Sequence, residues 1–340
     1  MQITIGQLKP LLLDTFKANL TPLVTSSPGI GKSSIYKQIA DMYKLKLIDI
    51  RLSQADPSDL NGFPVINEEK TKSGYVPMNT FPIEGDPIPE GYDGWLLLFD
   101  EFNSAAQSVI AAAYKIVLDR EIGQFKLHPN VAIGCAGNLM TDKAIVNKIG
   151  TAMQSRLIHF EVRIDAPSWI TWAEDNNIDH RVTAYIRFKE ENLHKFDPNH
   201  NDKTFATPRT WEFTSKLIKD MEEIPLDKLP LLAGTIGEGI AREFLAYTQI
   251  YQDLPSLHDL INKGDTIKVP TEPSVLYAIT GFLGSNINKD NVEQLMVFIN
   301  RLPKEFQVIT LKGAIRKDVS IYSQGTAIRE WADEMSEYLK

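Results

Sequence analysis

Residues 26–34, SSPGIGKSS, follow the short apolar run PLVT (22–25) and open a segment of helical period, KSSIYKQIADMYK (32–44), in which Ile35, Ile39 and Tyr43 recur every four residues. The stretch matches the phosphate-loop pattern G-x-x-x-x-G-K-[ST] except at its first position, where Ser26 stands in place of glycine. A loop that turns from a strand into a helix aims several backbone N–H groups at one point, and the helix N-terminus adds a positive dipole. Gly29 and Gly31 supply the unusual backbone angles and the close approach. Lys32 is then placed to reach the terminal phosphates of a nucleotide, and the Ser33 hydroxyl to coordinate Mg²⁺. Ser27, Pro28, Ile30 and Ser34 complete the loop and the first helical turn. Ser26, at the loop entry, has to avoid a strongly positive φ. The alternative is a Pro-Gly turn that caps an ordinary helix.

A second stretch, LLLFDE (96–101), ends a buried apolar run on two carboxylates. An Asp at the end of a strand beside a phosphate loop holds the Mg²⁺ shell, which assigns Asp100 with Ser33 to the metal. The adjacent Glu101 then orients and deprotonates the attacking water. A strand ending at a solvated acidic turn is the plainer reading of these six residues alone.

The chain of 340 residues carries 36 Lys and Arg against 44 Asp and Glu, a net charge of −8. That balance argues against a broad nucleic-acid-binding face, because such faces are built from clustered cations. One cysteine, Cys135, excludes an internal disulfide and a cysteine-based zinc site, and the six histidines show no metal-ligand spacing. The N-terminus has no secretory pattern and no apolar run of about 18 residues spans a membrane. A soluble protein of a reducing compartment, the cytoplasm, is expected.

Five apolar runs predict strands: PLVT (22–25), LKLIDIRL (45–52), WLLLFD (95–100), VAIGCAG (131–137) and LIHFEV (157–162). Runs without clean alternation fit strands buried on both faces of a parallel sheet. The Ala-rich segment 104–119 puts Val109, Ala113, Ile116 and Val117 on one helical face. Strands alternating with helices give an α/β domain with a five-stranded parallel sheet. Residues 61–94, rich in Pro and Gly, interrupt that rhythm with a hairpin around NEEKTKSG, and an insertion of this kind is more often functional than filler. Beyond residue 165 the pattern turns helical, except for one short extended stretch, FQVITL (306–311). Trp169 and Trp172, three residues apart, read as packing.

Taken together, SSPGIGKSS and LLLFDE make the chain resemble the AAA+ ATPases, and DEFNSAAQSVIAAAYKIVLDREIG with RLSQADPSDLNGFP resembles the MoxR-like, helix-2-insert branch of bacteria and phages. The resemblance covers roughly residues 10–250. It implies an AAA+ core over 1–164 with the insert at 61–94, a helical lid over 165–250 and a mostly helical extension over 251–340. It also implies roles for three further residues. Asn138, in GCAGN, takes the sensor 1 position that places water against the γ-phosphate. Arg156, in MQSRLIHFEV, takes the arginine-finger position that reaches a neighbour's ATP. Arg209, in FATPRTW, takes the sensor 2 position at the start of a lid helix, with Pro208 suited to a first turn. Each has a plainer reading: a strand-end cap, a surface arginine, a helix-start salt bridge.

A finger acting in trans implies a homo-oligomeric ring, a hexamer in this family. The resemblance further implies chaperone-like remodelling of a protein substrate or adaptor, such as a von Willebrand factor A domain protein. The second functional class is a nucleic-acid-associated motor or loader on the same base, as in phage replication or packaging. The acidic charge and the mere two cations of the insert, Lys70 and Lys72, favour a protein partner. A nucleotide-binding scaffold without turnover is the third.

Overall fold

The computed structural model describes residues 1–140, 147, 149–197, 199, 202–324 and 326–335. Its residues group into two compact units, Met1–Asp165 with Asp197–Asn199, and Ala166–Phe196 with His200–Lys340.

The first unit is an α/β domain. In chain order it runs β1 (Gln2–Thr4), α1 (Ile5–Lys17), β2 (Pro22–Ser26), α2 (Lys32–Met42), β3 (Leu45–Arg51), α3 (Pro57–Asn61), β4 (Phe63–Ile66), β5 (Ser73–Val76), β6 (Gly94–Asp100), α4 (Gln107–Asp119), β7 (Glu121–Ile122), β8 (Phe125–Lys126), β9 (Val131–Asn138), α5 (Thr151–Gln154) and β10 (Ile158–Arg163). Six strands form one parallel sheet in the order β1-β10-β2-β9-β6-β3. The five apolar runs are all in it. The sheet therefore has six strands rather than five, and the unanticipated one is β1. It pairs Gln2, Ile3 and Thr4 with Glu161, Val162 and Arg163, and only Ile3 of the three is buried. Three residues with one apolar side chain make no run to read.

Burial explains why the central strands form where they do. β6 is buried from Gly94 to Phe99, and its alternate residues divide between two cores. Trp95, Leu97 and Phe99 pack with Leu23, Ile133, Cys135 and the buried face of α4. Leu96 and Leu98 pack on the other side with Val24, Ala136, Leu8 and Leu12 of α1, and Ile35, Tyr36 and Ile39 of α2. Helix α2 lies so close to the sheet that a Cβ at Gly134 would stand 2.4 Å from the Tyr36 ring. The Tyr36 hydroxyl donates to the Cys135 carbonyl at 2.9 Å. The outer strand β3 is partly exposed, with Lys46, Asp49 and Arg51 facing solvent, which blunts the sheet edge.

Within the insert, β4 and β5 form the expected antiparallel hairpin, pairing Phe63 with Val76 and Ile66 with Ser73. Phe63, Val65, Ile66, Tyr75 and Val76 are all exposed.

The second unit is helical among the described residues: α6 (Ala166–Asp175), α7 (His180–Phe188), α8 (Pro208–Ile218), α9 (Leu229–Ile236), α10 (Glu238–Gln249), α11 (Leu257–Lys263), α12 (Pro273–Asn286), α13 (Val292–Ile299), α14 (Lys304–Lys317), α15 (Ser320–Gln324) and α16 (Thr326–Glu334). An aromatic cluster of Tyr185, Trp211 and Phe244, with ring centroids 5.3–5.5 Å apart, joins α7, α8 and α10. Trp169 and Trp172 pack at 6.5 Å. A second core runs from Leu260 to Met335. The stretch FQVITL is not extended but lies inside α14, because Phe306, Gln307, Thr310, Leu311 and Ala314 bury one face at helical spacing. Among the described residues no helix is long and apolar enough to cross a membrane.

Candidate nucleotide-binding site

Strand β2 ends at Ser26, which is fully buried and pairs with Asn138 of β9. Ser26 is thus a strand residue, and its φ is not positive. The left-handed angles fall instead at Gly29 (φ 78°) and Gly31 (φ 100°), the latter being the residue from which α2 starts. A serine is tolerated at the loop entry because the turn that demands glycine comes three residues later. Ile30 is tucked into the core and anchors the loop, while Ser27, Pro28 and Gly29 stay partly exposed.

Helix α2 then begins with Lys32, Ser33 and Ser34 and has no acidic side chain in its first turn. The Lys32 ammonium donates to the Ser26 carbonyl (3.1 Å), the Ser26 hydroxyl (3.1 Å), the Ser27 carbonyl (3.3 Å) and the Asn138 side-chain oxygen (3.2 Å). The Ser33 hydroxyl donates to Asp100 Oδ2 at 2.6 Å, a short charge-assisted bond. Two motifs far apart in sequence therefore meet through side chains. The sheet order makes this possible, since β9 lies between β2 and β6 and brings Asn138 between the loop and the acidic pair.

Glu101 follows β6 in a left-handed conformation (φ 54°, ψ 35°), a costly angle for a residue with a side chain. Its N–H donates to Asp100 Oδ1 at 2.8 Å, and its carboxylate accepts from the Ser53 hydroxyl in the 3₁₀ turn after β3. Asn138 is gripped through its backbone by the Asn103 side chain. Cys135, three residues earlier on β9, is buried, and burial pushes its thiol well above the ordinary range, so it is no nucleophile.

The structure thus brings together Ser26, Ser27, Lys32, Ser33, Asp100, Glu101 and Asn138. Arg156 stands apart in an exposed turn before β10, its guanidinium bonded to the Ala152 carbonyl at 2.6 Å. Arg209 belongs to the second unit, exposed as the second residue of α8 behind Pro208 and a Thr207–Thr210 capping box. Sequence reasoning passed over Ser53, Asn103 and the acceptor role of the Ser26 hydroxyl. Asn103 sits two residues past Glu101, beside the acidic pair in the sequence. Ser53 carries no local signal.

The donor set fits Mg²⁺, a hard cation that takes a hydroxyl and one or two carboxylates and leaves its other positions to phosphate and water. Ser33 Oγ and Asp100 Oδ2 are such a pair.

No protein-family model matches the chain. No curated protein matches it either. Among solved structures, the chain is similar to a candidate ATPase from Cytophaga hutchinsonii at 15% identity and a TM-score of 0.36, covering 91% of this chain and 79% of that one. It is also similar to the RuvB Holliday junction branch migration motor of Thermotoga maritima, at 14% identity and a TM-score of 0.37, covering 91% and 88%. Likeness at this level leaves the functional argument to the site itself.

Proposed function

We propose that the chain is an ATP-hydrolysing motor of the AAA+ type, in its MoxR-like branch, working as a homo-oligomeric ring on a protein partner. The observation that carries this reading is the Ser33–Asp100 hydrogen bond, which joins the phosphate loop to the acidic strand end. In this reading the backbone N–H groups at the start of α2 and the Lys32 ammonium hold the phosphates. Asn138 positions water against the γ-phosphate, and Glu101 takes its proton. Ser33 and Asp100 would hold Mg²⁺, which would supply positive charge to offset that of the phosphates.

The exposure of Arg156 supports its use in trans, as a finger that offsets transition-state charge in a neighbouring subunit, and a hexamer satisfies that geometry in every site. Arg209, exposed at the start of α8, is assigned to sensor 2. We divide the chain into a core (1–164), a lid (165–250) and an extension (251–340). The exposed Phe63, Val65, Ile66, Tyr75 and Val76 of the insert favour contact with polypeptide over nucleic acid. A von Willebrand factor A domain protein as partner rests on the family resemblance alone.

The test is steady-state ATPase activity with direct nucleotide binding. Lys32→Ala should abolish binding or turnover. Glu101→Gln should bind ATP and hydrolyse it about 100-fold more slowly. Full activity in either variant refutes the site. The Glu101→Gln form, loaded with ATP, is also the trap with which to capture the partner.

A further inference from the structure

We propose that Asn103 is a positioning residue for ATP hydrolysis, holding the end of β9 and the segment after β6 at a fixed spacing so that Asn138 and Glu101 face the same phosphate. This deepens the ATPase reading and rests on it.

Asn103 is 4% exposed. Its side-chain amide donates to the Asn138 carbonyl at 2.8 Å, and its side-chain oxygen accepts the Asn138 N–H at 3.0 Å. The pairing of β9 with β6 ends at Cys135–Phe99, whereas the pairing of β9 with β2 continues to Asn138–Ser26. On the β6 side, the Asn103 carboxamide therefore supplies one more rung where the ladder has run out. Its donor and acceptor match a peptide group in kind.

The seat is cut to that group. A Cβ on Gly137 would stand 2.6 Å from Asn103 Oδ1 and 2.9 Å from its Cγ. The Asn103 backbone is tied as well. Its carbonyl accepts from Asn147 N at 2.7 Å, and the Asn147 side chain donates to the Ala105 carbonyl at 2.7 Å. The next residue, Ser104, donates its N–H to the Glu101 carbonyl at 2.9 Å and closes the turn around Asn103. Asn103 is therefore held on two sides: its backbone lies within the turn that starts from Glu101, and its side chain grips Asn138, whose own side chain meets Lys32.

Neither contact is itself made to the loop that holds the phosphates, which keeps its backbone N–H groups and Lys32 whether or not Asn103 holds Asn138. Loosening Asn103 should leave ATP binding intact and misplace the groups that act on the attacking water. A displacement of the order of 1 Å costs about 100-fold in rate.

Four variants test this. Asn103→Asp keeps the shape and the acceptor for Asn138 N–H, but sets an oxygen against the Asn138 carbonyl. Gly137→Ala pushes the carboxamide from its seat without altering Asn103. Asn103→Ala with Gly137→Ala removes the clash and should be no worse than Asn103→Ala alone. For each, kcat and KM are measured, with fluorescent ATP-analogue affinity in the absence of turnover and the melting temperature. Asn103→Asp and Gly137→Ala are expected to lose kcat by about 30-fold or more while affinity stays within about threefold.

Wild-type kcat in a folded, ATP-binding Asn103→Asp overturns the proposal. So does a parallel fall of kcat, affinity and melting temperature, the mark of a merely structural residue. Wild-type chain without Lys32-dependent hydrolysis overturns the ATPase reading and this proposal with it. Normal Asn103→Asp beside a Lys32-dependent wild type overturns this proposal alone.

Discussion

Replacing Ser26 with alanine should lower the stability of the free protein and tighten its grip on nucleotide at the same time. The Lys32 ammonium has three protons and at least four oxygen neighbours, two of them on Ser26. Deleting the hydroxyl leaves at least three acceptors for three protons, so no charged donor is stranded. The loss is then that of one modest contact, about 1 kcal/mol, rather than the larger penalty of an unmet buried charge. The hydroxyl also donates to the Ser27 carbonyl at 3.0 Å, a bond within the loop that goes with it. A loss of that size lowers the melting temperature by about 2–4 °C.

A phosphate oxygen that takes a proton from Lys32 competes with these same acceptors. Removing one competitor returns the same free energy to binding, about fivefold in Kd. Ser26→Gly should shift affinity in the same direction but melt lower, since glycine in a strand costs a further 0.5–1 kcal/mol or so. The assays are thermal denaturation without nucleotide and equilibrium titration with a fluorescent ATP analogue and Mg²⁺. Tenfold weaker binding in Ser26→Ala would refute the reasoning, because the hydroxyl would then be a nucleotide ligand. Unchanged melting and affinity would refute it too, since the Ser26–Lys32 contact would be worth nothing.

Arg156→Ala should bind nucleotide normally and lose turnover, and mixing it with Lys32→Ala subunits should recover part of the activity; no recovery, or full rates in a strict monomer, would rule out action in trans. Burial pushes the His180 imidazole below its usual pKa, and Arg181 and Lys317 add to that against the opposing charge of Asp179. The unfolded chain then takes up the proton first, so stability is complete above the ordinary value of 6.5 and is lost as pH falls through the depressed one. Melting curves from pH 7.5 to 5 should therefore fall more steeply for wild type than for His180→Gln, and parallel curves would contradict this. Asp179→Ala should cost the second unit about 3–5 kcal/mol in urea unfolding, because Arg181 pairs with Asp179 at 2.7 Å with both side chains nearly buried; a loss below about 1 kcal/mol would show the pair to be idle.

Which parts could be read from sequence follows from how far each depends on distant partners. The central strands announce themselves because both faces are buried and nearly every residue is apolar. β1 does not, since its place is set by Glu161, Val162 and Arg163 on a strand far along the chain. FQVITL was misread by composition: its β-branched residues suggest a strand, while the burial of Phe306, Thr310, Leu311 and Ala314 follows a helix. The turn from β2 into α2 is local and legible in the sequence, down to the two glycines with positive φ. The contacts of Ser53 with Glu101 and of Asn103 with Asn138 depend on sheet register, which no short window contains.

That register is itself enforced by apolar burial. Sliding β6 by one residue would exchange Trp95, Leu97 and Phe99 with Leu96 and Leu98 between two differently shaped cores. Such an exchange leaves cavities on one side and overpacking on the other, about 1–3 kcal/mol for each misfitted side chain, so misplacing even two of them outweighs any single polar contact at the strand end. The same slip would turn Asp100 away from Ser33. The polar groups of the site do not have to find one another, because the five apolar residues before Asp100 have already decided where it points. The Asn138 end of β9 lacks that guarantee on the β6 side, where strand pairing stops at Cys135. This is the place where a side chain, Asn103, has to do what the sheet elsewhere does by burial.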